Sequence, residues 1–118
     1  GLPSDQGPIY LLPPYDFFDA PVPTFTVSSV APLLPSVPPF IPPAAMNLVF
    51  PSVAQTVVIK NKDGANSLFV AFGVGQPPIE IPFGQELNLT GVSVSEIFLF
   101  SVVANVSWSG SFSFFNFL

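Results

Sequence analysis

Glu80 and Glu86 flank a Pro82-Phe83-Gly84 turn on successive strand candidates, so a hairpin would bring two carboxylates together. General acid–base catalysis uses such a pair, or a carboxylate with a histidine, held in one pocket with separated pKa values. Short charged residues beside a Pro-Gly turn ordinarily form a solvated rim, and that is the reading adopted for these two. Asp16 and Asp19, in Tyr15-Asp16-Phe17-Phe18-Asp19, offer oxygens to calcium. A hard cation takes about six to eight oxygen ligands, so an acidic docking motif suits this pair better. Histidine is absent, Lys60 and Lys62 carry no motif, and no serine has a partner base. The absence of cysteine removes thiol chemistry, disulfides and the usual structural zinc ligands. Gly73-Val74-Gly75 lacks the later glycine, lysine and helix of a phosphate loop and reads as a turn. The sequence therefore predicts a protein that is not an enzyme, with no catalytic residue, no cofactor and no metal ligand.

Charge narrows the partners. Two basic residues against seven acids give a net charge of −5, so the chain has little with which to neutralise phosphates, and nucleic acid is excluded as an expected partner. Only 8% of residues are charged while 49% are hydrophobic. Ordinary soluble domains carry about 25% charged residues, so this surface asks to be covered by copies of itself, by another protein or by lipid. Asn88-Leu89-Thr90 and Asn105-Val106-Ser107 match the glycosylation pattern, which arises by chance in a chain rich in Asn and Ser. Trp108, Tyr10 or Tyr15 would suit a sugar-stacking platform, but a large aromatic more often fills a core or an interface. Residues 1–7 have neither the basic start nor the apolar block of a secretory leader, and Asp5 stands where a myristoylation motif wants Ser or Thr.

The elements that would position these residues are strands. The run Ser95-Glu96-Ile97-Phe98-Leu99-Phe100-Ser101-Val102-Val103-Ala104 is apolar on both faces, as a covered central strand requires. Further candidates are Gln55-Thr56-Val57-Val58-Ile59-Lys60, Ser67-Leu68-Phe69-Val70-Ala71-Phe72, Ile79-Glu80-Ile81, Glu86-Leu87-Asn88-Leu89-Thr90, Val92-Ser93-Val94, Val106-Ser107-Trp108 and Ser111-Phe112-Ser113-Phe114-Phe115-Asn116-Phe117. Ala44-Ala45-Met46-Asn47-Leu48-Val49-Phe50 reads as a short helical turn or a first strand, the strand being preferred and ending at Pro51. Asn61-Lys62-Asp63-Gly64-Ala65-Asn66 is turn chemistry, within which Asp63-Gly64 is able to supply positive φ. Alternation puts Leu87 and Leu89 on a buried face, with Ile97, Phe98 and Phe100 completing the predicted core. About seven short strands with turns about every 8 to 12 residues predict an all-β body, a small antiparallel β-sandwich of jelly-roll or Ig-like type, or a small barrel.

Residues 46–118 form that body; residues 1–45 are a different kind of chain. Twelve of the 16 prolines precede Ala44. Each removes a backbone donor and fixes φ, leaving polyproline II and isolated edge-strand pieces. Tyr10, Leu12, Tyr15, Phe17, Phe18, Phe25, Leu34 and Phe40 lie between the prolines, too apolar for a solvated linker. These are the predicted anchors of an extended proline-rich arm that lies along another surface, or else folds back over its own sheet as extra edge strands. Thr24-Phe25-Thr26-Val27-Ser28-Ser29-Val30 alternates and suits strand addition to a neighbouring sheet. A body of about 70 residues without disulfide or metal is near the lower limit for standing alone, which predicts a homo-oligomer, most simply a trimer or another ring, or a body completed by a partner's arm. Residues 97–118 are uncharged and long enough to span a bilayer, but their Ser, Asn and alternating Phe favour a strand hairpin over a membrane contact.

The run Val57-Val58-Ile59-Lys60-Asn61, the following turn, Ser67-Leu68-Phe69-Val70-Ala71-Phe72-Gly73 and Ile81-Pro82-Phe83-Gly84-Gln85-Glu86-Leu87-Asn88-Leu89 resemble small β-sandwich virion proteins of tailed bacteriophages, of capsid decoration (cement) or fibre-base type. The last segment has one more residue between proline and glycine than that family's pattern. The resemblance implies a structural protein of the capsid surface without catalytic residues. Its partners would be a major capsid or other virion protein and copies of itself, with the arm lacing over neighbouring subunits. About four or five seated apolar anchors, at about 1.5–3 kcal/mol each, would contribute on the order of 10 kcal/mol before ordering losses. The alternatives are a receptor- or glycan-binding fibre or spike module that uses residues 61–66 as its tip, and a minor capsid protein that touches a virion membrane.

Overall fold

The computed structural model describes residues 9–10, 24–30, 40–73 and 75–114. Among them there is no helix, and seven strands follow in chain order: β1 (Ile9–Tyr10), β2 (Thr24–Val27), β3 (Met46–Asn61), β4 (Leu68–Ala71), β5 (Ile79–Ile81), β6 (Glu86–Phe100) and β7 (Val106–Phe114). The fold is all-β, built on one sheet in the order β2-β7-β3-β6-β4-β5, with β1 set beside β3. Every pairing on that path is antiparallel, and the two residues of β1 run parallel to Leu48 and Val49.

Two long strands, β3 and β6, organise the rest. The sequence predicts a strand ending at Pro51 and a second beginning at Gln55; instead β3 runs through Pro51 for 16 residues. Proline is admitted there because the β3–β6 register breaks between Val49 and Ala54, where ladder donors are not required. A second shift follows between Ala54 and Thr56, and the buried face changes from Leu48, Phe50 and Ala54 to Val57, Ile59 and Asn61. In β6 the three predicted pieces are likewise one strand of 15 residues. The half-buried positions move from Leu87 and Leu89 to Val92 and Val94 across Gly91, whose φ of 69° only glycine adopts without strain. Bulges bend strands. Here they divide the sheet into one half where residues 46–49 pair with 96–99, and another where residues 54–61 lie between β6 and β7.

One hydrophobic cluster draws on both halves. Leu48, Leu68, Val70, Ile81, Ile97 and Leu99 come from the first, and Val57, Ile59, Val106, Trp108, Phe112 and Val27 from the second. Phe50 joins them, its ring centroid 4.7 Å from Phe112 and 5.6 Å from Phe114. Gly110 is the small residue that lets β7 carry this load. It lies on the core face between Trp108 and Phe112, and a Cβ there would stand 2.8 Å from a ring atom of each.

Of the predicted core, Ile97 and Phe100 are buried, whereas Leu87, Leu89 and Phe98 are half-buried, Leu87 and Leu89 packing against the cluster from its rim. The central run ends as a strand at Phe100. Residues 101–105 form a loop tightened by the Ser101 hydroxyl, which lies within hydrogen-bond reach of Ala104 O and 3.3 Å from Ser28 O. Val106-Ser107-Trp108 and the following Ser111 to Phe114 are one strand, β7.

Candidate functional site

Among the described residues, a run of side-chain hydrogen bonds joins the loop of residues 61–67 and the ends of the strands around it. Asn61 closes β3 with its side chain fully buried, a costly position for an amide unless every group finds a partner. Its Nδ2 donates to Asn66 O and Ile81 O, both at 2.9 Å, and its Oδ1 accepts from Asp63 N at 2.9 Å. Asp63 then accepts from Ala65 N at 2.9 Å, Asn66 N at 2.7 Å and Asn66 Nδ2 at 3.2 Å. The amides of Ala65 and Asn66, ahead of the Asn66 side chain, hold its carboxyl below the usual carboxylate range. The predicted turn stretch of residues 61–66 is thus a loop closed by side chains, but Gly64 supplies no positive φ; the positive-φ glycines among the described residues are Gly84 and Gly91. Backbone bonds from Asn61 N to Gln85 O (2.9 Å) and from Lys62 N to Ser107 O (2.8 Å) tie this end to the β5–β6 turn and to β7.

Glu80 and Glu86 line one shallow depression of about 430 Å³ with Ile81, Pro82, Gln85 and Leu87. Both are exposed. Glu80 accepts from Ser67 Oγ at 2.6 Å, and Glu86 stands opposite Lys60 in the β3–β6 register. The turn between them is closed by Gln85 N donating to Pro82 O at 3.0 Å, with Gly84 at φ 73°. The described residues contain no cluster of three or more acid, His or Cys groups able to hold a metal ion. A second depression of about 370 Å³ lies beside the 61–67 loop, lined by Asn66, Ser67, Phe69, Glu80, Val102 and Val103. Its floor is Phe69, stacked on Phe100 with centroids 5.3 Å apart. Its far wall is exposed, Val102 at 38% and Val103 at 81%. Sequence reasoning had assigned Val102 and Val103 to the central strand; the apolar rim arises because the strand stops at Phe100 and Ser101 turns the chain outward.

The arm residues divide by position. Tyr10 falls in β1 and Phe25 in β2, where Phe25 stands opposite Trp108 in register. Phe40 is half-buried, next to a buried Ile41. Leu12, Tyr15, Phe17, Phe18 and Leu34, like Asp16 and Asp19, lie outside the described residues. For the Thr24 to Val30 segment, a candidate for addition to a neighbouring sheet, the structure shows the arm's other course, an extra edge strand on its own sheet: Thr24–Val27 pairs with β7 of the same chain, and Val27 is 1% exposed within the core cluster. Of the candidate sugar platform, Trp108 is buried at 1% and presents no face to a ligand. Asn88 and Asn105 are exposed, and Asn105 Oδ1 accepts from Ser29 N at 3.0 Å. No helix among the described residues is long and apolar enough to cross a membrane.

No protein-family model, curated protein or solved structure matches this chain.

Proposed function

We propose that the chain is a structural protein of a virion, of the capsid decoration or cement kind. On this reading it binds the major capsid protein or another virion protein and copies of itself, and its proline-rich N-terminal residues brace neighbouring subunits. Its work is burial of apolar surface, with no substrate and no cofactor. On the same reading the bent sheet closes over its core as a small β-sandwich.

One observation carries the proposal. A segment cut from proline-rich sequence, Thr24–Val27, serves as a sheet strand and sends Val27 into the core. Made to a second protein instead of to its own sheet, such backbone pairing would supply affinity and the alternate side chain fit, which is how an extended segment staples one surface to another. The sparse charge of the chain supports the same reading, because a surface with so few ions gains from being covered.

The test is the protein content of particles purified from the organism that encodes the chain. Stoichiometric recovery with the shell protein is expected, and absence from intact particles overturns the proposal. The depression walled by Phe69, Val102 and Val103 beside the 61–67 loop favours a second reading, a receptor- or glycan-binding spike module. Binding to a glycan array that is lost in Val103→Lys would establish it; an array without hits would dismiss it.

A further inference from the structure

The position of β2 carries an inference about how copies of this chain join. Val27 is an interior residue of the body, yet it is delivered by a four-residue strand at the sheet's edge. The body is therefore incomplete without it: Val106 and Trp108, which β2 faces in register, belong to the core that Val27 closes. Residues 28–30 fasten the strand further. Ser29 N donates to Asn105 Oδ1 at 3.0 Å, Ser29 Oγ to Val102 O at 2.8 Å, and Val30 N to Ser101 O at 2.8 Å. The acceptor groove is thus the open edge of Val106 to Ser109 together with the 101–105 loop.

Between Val30 and Phe40 lie nine residues, four of them proline: Pro32, Pro35, Pro38 and Pro39. Covalent geometry lets a connection of nine residues reach at most about 30 Å. That is enough to pass from one small body to an adjoining one. Where such a connection would leave the groove, at Val30 and Ser101, the two exposed valines 102 and 103 form an apolar rim that a crossing chain or an adjoining body would cover.

We propose that β2 is exchanged between copies, so that Thr24–Val27 and residues 28–30 of one chain fill the groove along β7 of a second. The proposal deepens the reading of the chain as an assembly protein by naming the acceptor surface and its occupant, but it concerns the isolated chain and stands apart from any particle. The contacts made by β2 are the same within one chain or between two. The balance is therefore set by the connection and by concentration, with self-closure favoured below the effective concentration of the tether, about millimolar for a short flexible linker and less for a stiff one. Passed in one direction around a ring the exchange closes a small oligomer, and passed reciprocally it makes a two-fold dimer.

Thr26 and Ser107 are register partners, and the chain has no cysteine of its own. The single variants Thr26→Cys and Ser107→Cys, refolded together over a range up to about 1 mM and bridged by oxidation or a short thiol linker, should give a mixed dimer. Its yield should rise with concentration, and adding Val103→Lys to both chains should lower it several-fold. In the double variant the same bridge should shift from within one chain to between chains over the same range. If the double variant closes only on itself at every concentration, and the mixed single variants give no product bridged between positions 26 and 107, exchange is overturned. That result would leave the virion reading untouched, just as absence from particles would leave exchange untouched.

Discussion

The sheet ends in two edge strands built on opposite principles. β5 at one end is three residues long, hemmed by Pro77-Pro78 before it and Pro82 after it, with exposed Glu80 at its centre and Ile79 left 40% exposed. Proline, charge and brevity are the devices that make a sheet edge refuse a new strand. β2 at the other end has four uncharged residues and no proline within them; each edge sends one side chain into the core, Val27 from β2 and Ile81 from β5. Their fastenings differ as well. Side chains bond directly to β5, Asn61 Nδ2 to Ile81 O and Ser67 Oγ to Glu80 Oε2, the second to a carboxylate, whereas the β2 segment is held by its ladder to β7, the packing of Val27 and neutral hydrogen bonds from Ser29 and Val30. The molecule therefore has one edge closed to partners and one edge that is itself a detachable partner.

The largest expected effect tests that division directly. Val27→Asp puts an unpaired carboxylate into the core and should cost at least about 4 kcal/mol, enough to unfold a small domain of ordinary stability. Ile79→Asp, on the closed edge, should shift stability by no more than about 0.5 kcal/mol. Urea midpoints for the two variants give the comparison; equal losses would mean that Val27 is no more part of the core than Ile79 is.

Next in size is the polar fastening. Asn61→Ala strips a buried carbonyl of Ile81 and the carbonyl of Asn66 of their donor and should lose about 2–3 kcal/mol. Hydrogen exchange should show β5 and the 61–67 loop loosened while β7 keeps its protection. Loss of protection in β2 as well would show that the two edges are coupled. Gly110→Ala should cost about 1–3 kcal/mol, because Trp108 and Phe112 are buried and have little room to withdraw from the added methyl. Its effect should appear on the β2 side of the sheet.

What could be read from the sequence follows the same physical divide. Alternation of β-branched and aromatic residues located nearly every strand of the body, because a period of two is a local property of the chain. Ile97 and Phe100 were legible as interior because the run around them is apolar on both faces, as a covered strand requires. Strand continuity was not. Pro51 and Gly91 look like terminators, and only the partner strand reveals that both sit at bulges where the ladder tolerates them. The partial exposure of Leu87 and Leu89 was hidden too, because no pattern within β6 tells whether a second layer covers it. Asn61 was read as turn chemistry, since its role depends on Ile81, 20 residues away, which nothing local announces. The polar residues of the candidate site were visible as residues. The apolar rim of Val102 and Val103 was not, because it depends on where β6 stops.

The smallest effect is the most specific to the closed edge. Asp63 sits at the surface and accepts bonds from two backbone amides and the Asn66 side chain, which lower its pKa in the folded chain. A carboxyl with a depressed folded pKa adds stability that is fully present above its unfolded value of about 3.9 and is lost as pH falls through the lower folded value. The wild-type chain should therefore exceed Asp63→Ala in urea midpoint by a small margin at pH 7, and the excess should shrink below pH of about 3.9 as the wild-type carboxyl takes up its proton. A margin that stays constant down to pH of about 2 would mean that the loop is closed by shape alone. Because β2 is held by apolar packing and neutral hydrogen bonds, the engineered bridge between positions 26 and 107 should form with the same partition within and between chains at pH 7 and pH 4, while protection in the 61–67 loop begins to fall only below that range. If acid instead moves the exchange equilibrium as early as it moves the loop, the two edges share one electrostatic fastening and the contrast between them fails.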